Sequence, residues 1–501
     1  MNVTEALARA ARRWPAREAL RDDQNGITFA ELDGRVNRLA HELATLGVRP
    51  GDRVATLLPN SIAQIAAQLA ILRAGGAWVA INRRLASPEI TYMLLHSGAR
   101  VLLNDGDMSG VGSGPASLAE VCDVSGGDAV FERRLAMRSA APPTVAVGED
   151  DVGRLRYTSG TTGRPKAAVL THRSALTSLH SLLAELHDLG SDDVVAHVTP
   201  LTHASEALVA PAFWRGARAV LRARADAQSL ATLIARERVT TLFLVPTLIA
   251  ALADIAEADR SVFASVRTIV YGAAPMPADL MERALGLLGP VLLQIYGMSE
   301  CPFPITTLRK EDHFDRRVRG SCGLPTAVNS VQVLDSDGRP APTGTPGTIA
   351  IRGPQVMREY WEDPDATRAT LVDGWLRSGD IGVFDAEGFL TLVDRRDDVI
   401  ISGGFNVYPR EVEVVLESHP AIAEAGVAAV SHERWGQGVA AWVVRSEGEE
   451  GAAVDEDALI AFCRNRVAGY KKPVQVRFVP ELPKNSTGKL LRRRLHEIDH
   501  R

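Results

Sequence analysis

The chain has 501 residues, enough for more than one domain at roughly 100–200 residues each. Hydrophobic residues make up 46% and the formal net charge is −5, a balance that excludes a globally basic, nucleic-acid-binding surface. Cys122, Cys301, Cys322 and Cys463 form no C-x-x-C pair, so neither a zinc site nor a disulfide framework is expected and a reduced compartment fits.

The N-terminus, Met1 to Arg13, alternates apolar and charged residues and lacks a signal-peptide core, which makes the cytoplasm the expectation. Phe29 to Leu46 has helical spacing. Val54 to Leu58 reads as a strand, with Asn60 placed to cap the helix after it. Ile62 to Ile81 is the most apolar long stretch, but Gln64, Gln68 and Arg73 interrupt it, so no integral membrane segment is expected. The runs Ala77 to Ile81, Val101 to Asn104, Val194 to Val198, Ala219 to Leu221, Thr241 to Val245, Thr268 to Tyr271 and Leu292 to Tyr296 read as strands. Strands alternating with helical patterns predict α/β layers with largely parallel sheets. Asp105 to Glu149, rich in Gly, Ser and Ala, reads as irregular surface. After about Gly323 the strands Val331 to Asp335, Gly347 to Arg352 and Phe389 to Val393 are joined by turns such as Asp337-Gly338. A charged knot follows, Asp394 to Asp398, and beyond it a separate βα pattern begins with a helix from Pro409 to Ser418. The boundary is placed at the knot. Arg492 to Arg494 reads as part of a solvated terminal helix.

Tyr157 to Lys166 reads Y-T-S-G-T-T-G-R-P-K between apolar segments. Glycine lets backbone N–H groups approach a ligand, and hydroxyls and an ammonium add donors, so a polyphosphate such as that of ATP is the natural ligand. Only six of the 56 Lys+Arg residues are lysine, which makes a retained Lys166 informative. The run is not a Walker A loop, because the lysine does not follow the glycine directly. Tyr271-Gly-Ala-Ala-Pro275 follows a strand and offers either a flat slot for a planar base or a tight turn. Tyr296-Gly-Met-Ser-Glu300 brings an aromatic face, a hydroxyl and a carboxylate together, and that carboxylate suits Mg²⁺. Asp380 closes R-S-G-D at what reads as a loop end.

In this order, with 394–411 and 483–489, these motifs resemble the superfamily of adenylate-forming enzymes, which includes acyl- and aryl-CoA synthetases, luciferases and amino-acid adenylation domains. The resemblance implies an α/β fold: a large N-terminal domain over 1–393 with a small β-barrel-like subdomain, a hinge at 394–397, and a small mobile α+β domain over 398–501. It implies an ATP-dependent acid–thiol ligase that makes acyl-AMP from a fatty or aromatic acid and then transfers the acyl group to CoA. The alternative is loading of a carrier protein. ATP, Mg²⁺ and CoA are the expected small molecules, and a homodimer is left open.

Residue by residue, the resemblance assigns Thr158, Ser159, Gly160, Thr161, Thr162, Gly163 and Lys166 to the β- and γ-phosphates. Gly272, Ala273, Ala274 and Pro275, with Tyr296 and Gly297, form the adenine slot. Ser299 lies near the α-phosphate and Glu300 holds Mg²⁺. Asp380 and Arg395 bind the ribose, Asp397 is the hinge, and Lys489 is the catalytic lysine. Gly403 and Gly404 line a pantetheine channel flanked by Trp435. Arg84 and Lys472 contact CoA phosphates, with Lys471 a second candidate, and Tyr470 stacks on the CoA adenine. His203 sits beside the reacting carboxylate. Ala204, Ser205, Val245, Thr247, Met298, Cys301 and Pro302 are the expected acyl walls. No arginine stands at the expected wall positions to pair with a second carboxylate. Glu206 either points to solvent, the favoured reading, or points in, which would suit an amine- or hydroxyl-bearing acid. Ala167 replaces a frequent glycine and Ser299 the usual threonine; neither change removes a needed donor.

Overall fold

The computed structural model describes residues 2–107, 111, 118–158, 165–274, 276–395, 398–402, 405–432, 436–448, 451, 453–464, 466–485 and 488–500, without the side chains of 395, 401, 405, 406, 436, 499 and 500. Contacts divide the chain into two units: Met1–Val331 with Ile351–Leu376, and Gln332–Ala350 with Arg377–Arg501.

The first unit is layered. A nine-stranded sheet runs in the order 324–325, 306–308, 292–296, 268–271, 241–244, 194–197, 218–221, 18–21, 26–28. A seven-stranded sheet runs 359–360, 167–171, 152–157, 77–80, 53–57, 101–104, 120–123. The strands from 292–296 to 18–21 in the first sheet and from 152–157 to 120–123 in the second run parallel. One apolar cluster draws on both sheets, through Leu20 and Leu221 on one and Val54 and Trp78 on the other, together with the helices between them. The helix Ile62–Arg73 lies in that layer and is buried at every position. That burial explains its apolar character without a membrane, since a helix hydrophobic all round belongs in a core. Among the described residues no helix is long and apolar enough to cross a membrane. Further helices cover the outer faces of the two sheets. The result is the expected α/β layering.

Two local expectations are corrected first. The helix at 62 is capped by Ser61, whose hydroxyl accepts from the Gln64 N–H. Asn60 instead clamps a distant segment, donating to the carbonyls of His197 and Thr199 and accepting from the Leu201 N–H. Residues 105–149 are not wholly irregular, because they hold the strand Glu120–Asp123 and the helix Ala129–Ala136, capped by Asp128. The strand completes the parallel sheet edge and the helix packs Phe131 and Leu135 into the core. Both elements are short, which is why their periodicity does not show.

A five-stranded sheet in the order 330–334, 347–352, 375–384, 371–372, with 390–395 on 375–384, is the small barrel-like element. Asp380 lies inside its ten-residue strand Trp375–Phe384, not at a loop end. That strand pairs antiparallel with Leu390–Arg395, and residues 332–350 and 377–393 group with the C-terminal part. The second unit continues with a sheet in the order 405–407, 400–402, 436–445, 422–432, with 475–478 parallel to 436–445. Helices Pro409–Glu417 and Glu456–Arg464 cover one face, and Trp442 and Leu495 belong to the cluster on the other.

Arg492 is not solvated. It donates to the Val427 carbonyl at 2.7 Å, to Asp398 at 2.8 Å and to the buried Glu413 at 2.5 Å. These carboxylates, with Asp394, more than offset the cost of burial and raise its pKa.

Candidate active site

The phosphate-loop candidate is the tip of a β-hairpin. Val152–Tyr157 and Ala167–Thr171 pair antiparallel, and the Thr158 N–H donates to the Lys166 carbonyl at 2.8 Å, closing the neck. A Walker A loop joins a strand to a helix; this loop joins two strands, in keeping with the different spacing of its lysine. Ser159, Gly160, Thr161, Thr162 and Gly163 lie outside the described residues. Aromatic side chains fix the hairpin to the helix Ser87–Ser97: Tyr157 donates to the Met93 carbonyl and lies 2.9 Å from His96 Nδ1, and Tyr92 donates to the Pro165 carbonyl.

Lys166 Nζ stands 5.2 Å from the centre of the Tyr360 ring. The Tyr360 hydroxyl donates to Glu300 Oε1 at 2.7 Å, and the Glu300 carbonyl accepts from the Met357 N–H. Burial first, and then Glu300, push the Tyr360 pKa up, so it remains a hydroxyl donor. One tyrosine therefore brings the loop lysine and the candidate metal carboxylate together. Mg²⁺ binds through one or two carboxylates plus substrate phosphates and water. A single carboxylate, oriented through one oxygen, fits that requirement.

The base slot is set by two glycines. A Cβ on Gly272 would overlap the Ile295 carbonyl oxygen of the neighbouring strand, and one on Gly297 would lie 2.7 Å from Phe303 Cδ1. Ala273 has φ 67°, a left-handed conformation that costs a non-glycine residue energy, and such strain clusters at ligand sites. Ala274 follows it, and Pro275 lies outside the described residues. Tyr271 is buried beneath, its hydroxyl 3.0 Å from His313 Nε2. Tyr296 is buried at the end of its strand, and Met298 to Cys301 form a turn that places Ser299 before Glu300.

His203 Nδ1 lies 2.9 Å from the Thr202 hydroxyl. Burial first, and then Arg156, Arg154 and Arg84, lower its pKa to about 4, so the imidazole is neutral. That places Arg84 within electrostatic reach of His203. Glu206 does not point to solvent: it accepts from Arg154 at 2.9 Å and from Gln68 at 2.5 Å. Arg154 also donates to the Thr202 carbonyl and lies 4.2 Å above the Trp78 ring. Its orientation is not legible locally, because its partner stands 52 residues earlier on the hairpin. Ser205 is fully buried and 3.0 Å from His197 Nδ1; Cys301 and Ala204 are also buried. Val245, Met298 and Pro302 are partly exposed and Thr247 is exposed at the start of the helix Pro246–Ala258.

In the second unit, Asp380 stands directly opposite Arg395 in the antiparallel pair, which brings the two ribose candidates together. The side chain of Arg395 lies outside the described residues, as do Asp397, Gly403, Gly404 and Trp435. The Lys489 N–H donates to Asn485 Oδ1, and the Asn485 N–H donates to the Lys489 carbonyl, which holds the lysine at a tight turn. Lys471 pairs with Glu411 at 2.6 Å, whereas Lys472 donates to the carbonyl of Pro473 at 3.3 Å. Tyr470 packs against the second unit's core.

Residues 7–361 match the model of the AMP-binding enzyme family, and residues 411–489 match the model of the AMP-binding enzyme C-terminal domain. The chain belongs to the AMP-binding enzyme family. It is 38% identical over 486 residues to a feruloyl-CoA synthase from Amycolatopsis sp, covering 97% of this chain and 96% of that one. ATP-bound MatB from Rhodopseudomonas palustris superposes with a TM-score of 0.90 at 29% identity, covering 99% of both chains. The o-succinylbenzoate-CoA synthetase MenE from Bacillus subtilis, bound to its acyl-adenylate, gives 0.85 at 32% identity, covering 98% of this chain and 97% of that one. The expected reaction class, an AMP-forming acid–CoA ligase, agrees with family and relatives alike.

Proposed function

We propose that this protein adenylates a fatty or aromatic carboxylic acid at the hairpin loop and then transfers the acyl group to CoA. The observation that carries this reading is the meeting of Lys166 and Glu300 at Tyr360. In the first step a carboxylate oxygen attacks the α-phosphorus of ATP, and the bond to the departing pyrophosphate breaks. Two anions must approach, so catalysis is mainly positioning and charge neutralisation. Lys166 and the loop hydroxyls hold the β- and γ-phosphates, and Ser299 stands by the α-phosphate. Glu300 is the residue to hold Mg²⁺, which when bound supplies further charge neutralisation. The neutral His203 donates or accepts at the carboxylate without adding charge. Asp380 and Arg395 take the ribose.

Lys489 supplies a compact ammonium to the reacting carboxylate and α-phosphate, a task for which a point charge is better suited than a planar guanidinium. In the second step the CoA sulfur attacks the acyl carbon and AMP leaves. Arg84, Lys472 and Tyr470 are the candidates for the CoA nucleotide, Gly403, Gly404 and Trp435 for its pantetheine, and Asp397 for the pivot between steps. The engagement of Lys471 by Glu411 favours Lys472 in that role.

A pyrophosphate-release screen across fatty, aryl and amino acids tests the reading. Lys489→Ala is expected to abolish acyl-AMP formation nearly completely while sparing thioester formation from supplied acyl-AMP. Equal loss of both half-reactions would remove Lys489 from its role.

A further inference from the structure

Two arginines share one face of the strand Val152–Tyr157, and only one of them has a partner. Arg154 is satisfied by Glu206 and the Thr202 carbonyl. Arg156 lies two pairs further along. Strand alternation puts it on the same face as Arg154, because successive side chains point to opposite faces. It stands opposite Ala168, and Ala168 stands opposite Tyr360, so Arg156 also shares its face with the tyrosine that holds Glu300. The guanidinium is within electrostatic reach of His203, Glu206 and Glu300. It is only partly exposed, yet among the described residues it has no hydrogen bond or ion pair.

A buried charge without a counter-ion is costly, and proteins pair such groups or use them to bind. Burial first, then repulsion from Arg154, lower the Arg156 pKa to about 9; Glu206 and Glu300 oppose this without pairing with it. Glu206 is occupied by Arg154 and Gln68, and Glu300 by Tyr360. The anion that completes Arg156 must come from outside the chain. The neutral His203, linked through Thr202 to Arg154, places it on the acid side of the site.

We propose that Arg156 receives a carboxylate of the acid substrate in a charge-assisted, planar contact. A guanidinium fork matches a carboxylate bidentately. The inference rests on the acid-activating reading of the site. It adds to the site an arginine that stands outside the expected walls.

Binding of cinnamate and of 4-carboxycinnamate is measured by calorimetry in wild type, Arg156→Met and Arg156→Lys, with ATP affinity as the control for folding. Pyrophosphate release is followed in parallel. Arg156→Met is expected to weaken acid binding about tenfold or more, with lysine restoring part of the loss and ATP affinity unchanged. An equal loss for both acids assigns the contact to the reacting carboxylate; a loss confined to 4-carboxycinnamate assigns it to a second one. Unchanged affinity for both acids, a loss of ATP affinity alone, or no binding of either acid to wild type overturns the proposal. If Arg156→Met does not fold, Arg156→Lys binding both acids as tightly as wild type overturns it equally. Acid binding that depends on Arg156 without pyrophosphate release would sink the adenylation reading and leave this inference standing.

Discussion

Tyr360 links two groups that are sixty and almost two hundred residues away from it in sequence. Its hydroxyl orients Glu300, and its ring faces Lys166. Tyr360→Phe keeps the ring and removes only the donor. We expect a raised Mg²⁺ requirement and a kcat lower by roughly 10–100-fold, the usual effect of losing an orienting partner of a metal-binding group. The measurement is initial rate against Mg²⁺ concentration, and an unchanged curve would remove Tyr360 from the site. No motif contains this tyrosine, because its role depends on a two-residue strand, Glu359–Tyr360, docked onto Ala168 and Val169. Gly272 and Gly297 do stand in local motifs at strand ends, and the neighbours that forbid a Cβ there are Ile295 and Phe303, but the motif at 271–275 alone fits a base slot or a tight turn.

At the scale of elements, the hairpin carrying the loop and the strand carrying Asp380 show what local pattern conveys. The apolar runs beside 157–166 marked strands, and both are there. The strand Trp375–Phe384 was missed because Arg377, Ser378, Gly379 and Asp380 interrupt its alternation, and its pairing with Leu390–Arg395 supplies what its composition lacks. The C-terminal run at 492 carried a similar ambiguity: three arginines in a row look solvated, but Arg492 is tied to Asp398 and to the almost fully buried Glu413. Arg492→Met removes the closer of two cations on Glu413 and leaves only Arg410 at 3.5 Å, so a loss of about 3 kcal/mol, the low end for breaking a buried pair from one side, is expected. Chemical denaturation followed by tryptophan fluorescence reads this, and a shift below about 1 kcal/mol, the scale of an exposed pair, would refute it.

For the whole molecule, acid stability follows from buried imidazoles. His172, His197 and His203 each have a pKa lowered to about 4, in every case chiefly by burial, against an ordinary 6.5. His313 is lowered for the same first reason. Between those limits the unfolded chain binds more protons than the folded one, so stability rises with pH across the window. The protein is therefore expected to be fully stabilised above about pH 6.5 and to lose stability progressively down to about pH 4. Melting temperature measured across that range would show it, and a flat profile would count against neutral burial of these residues. His203→Gln should flatten part of the slope.

The order of motifs along the chain determined the family, the nucleotide and the reaction class, because loops that meet ATP must carry glycines, hydroxyls and charges wherever the fold puts them. Alternating apolar runs likewise determined the layered α/β architecture, since each strand and helix has to bury one face. Only the tertiary structure decided which charges are spent and which are available. Glu206 and Arg154 cancel each other, Lys471 is taken by Glu411, and Arg156 on the same strand is left to meet a ligand. Those outcomes depend on strand register and on partners brought together from distant segments, and no spacing within a single segment encodes them.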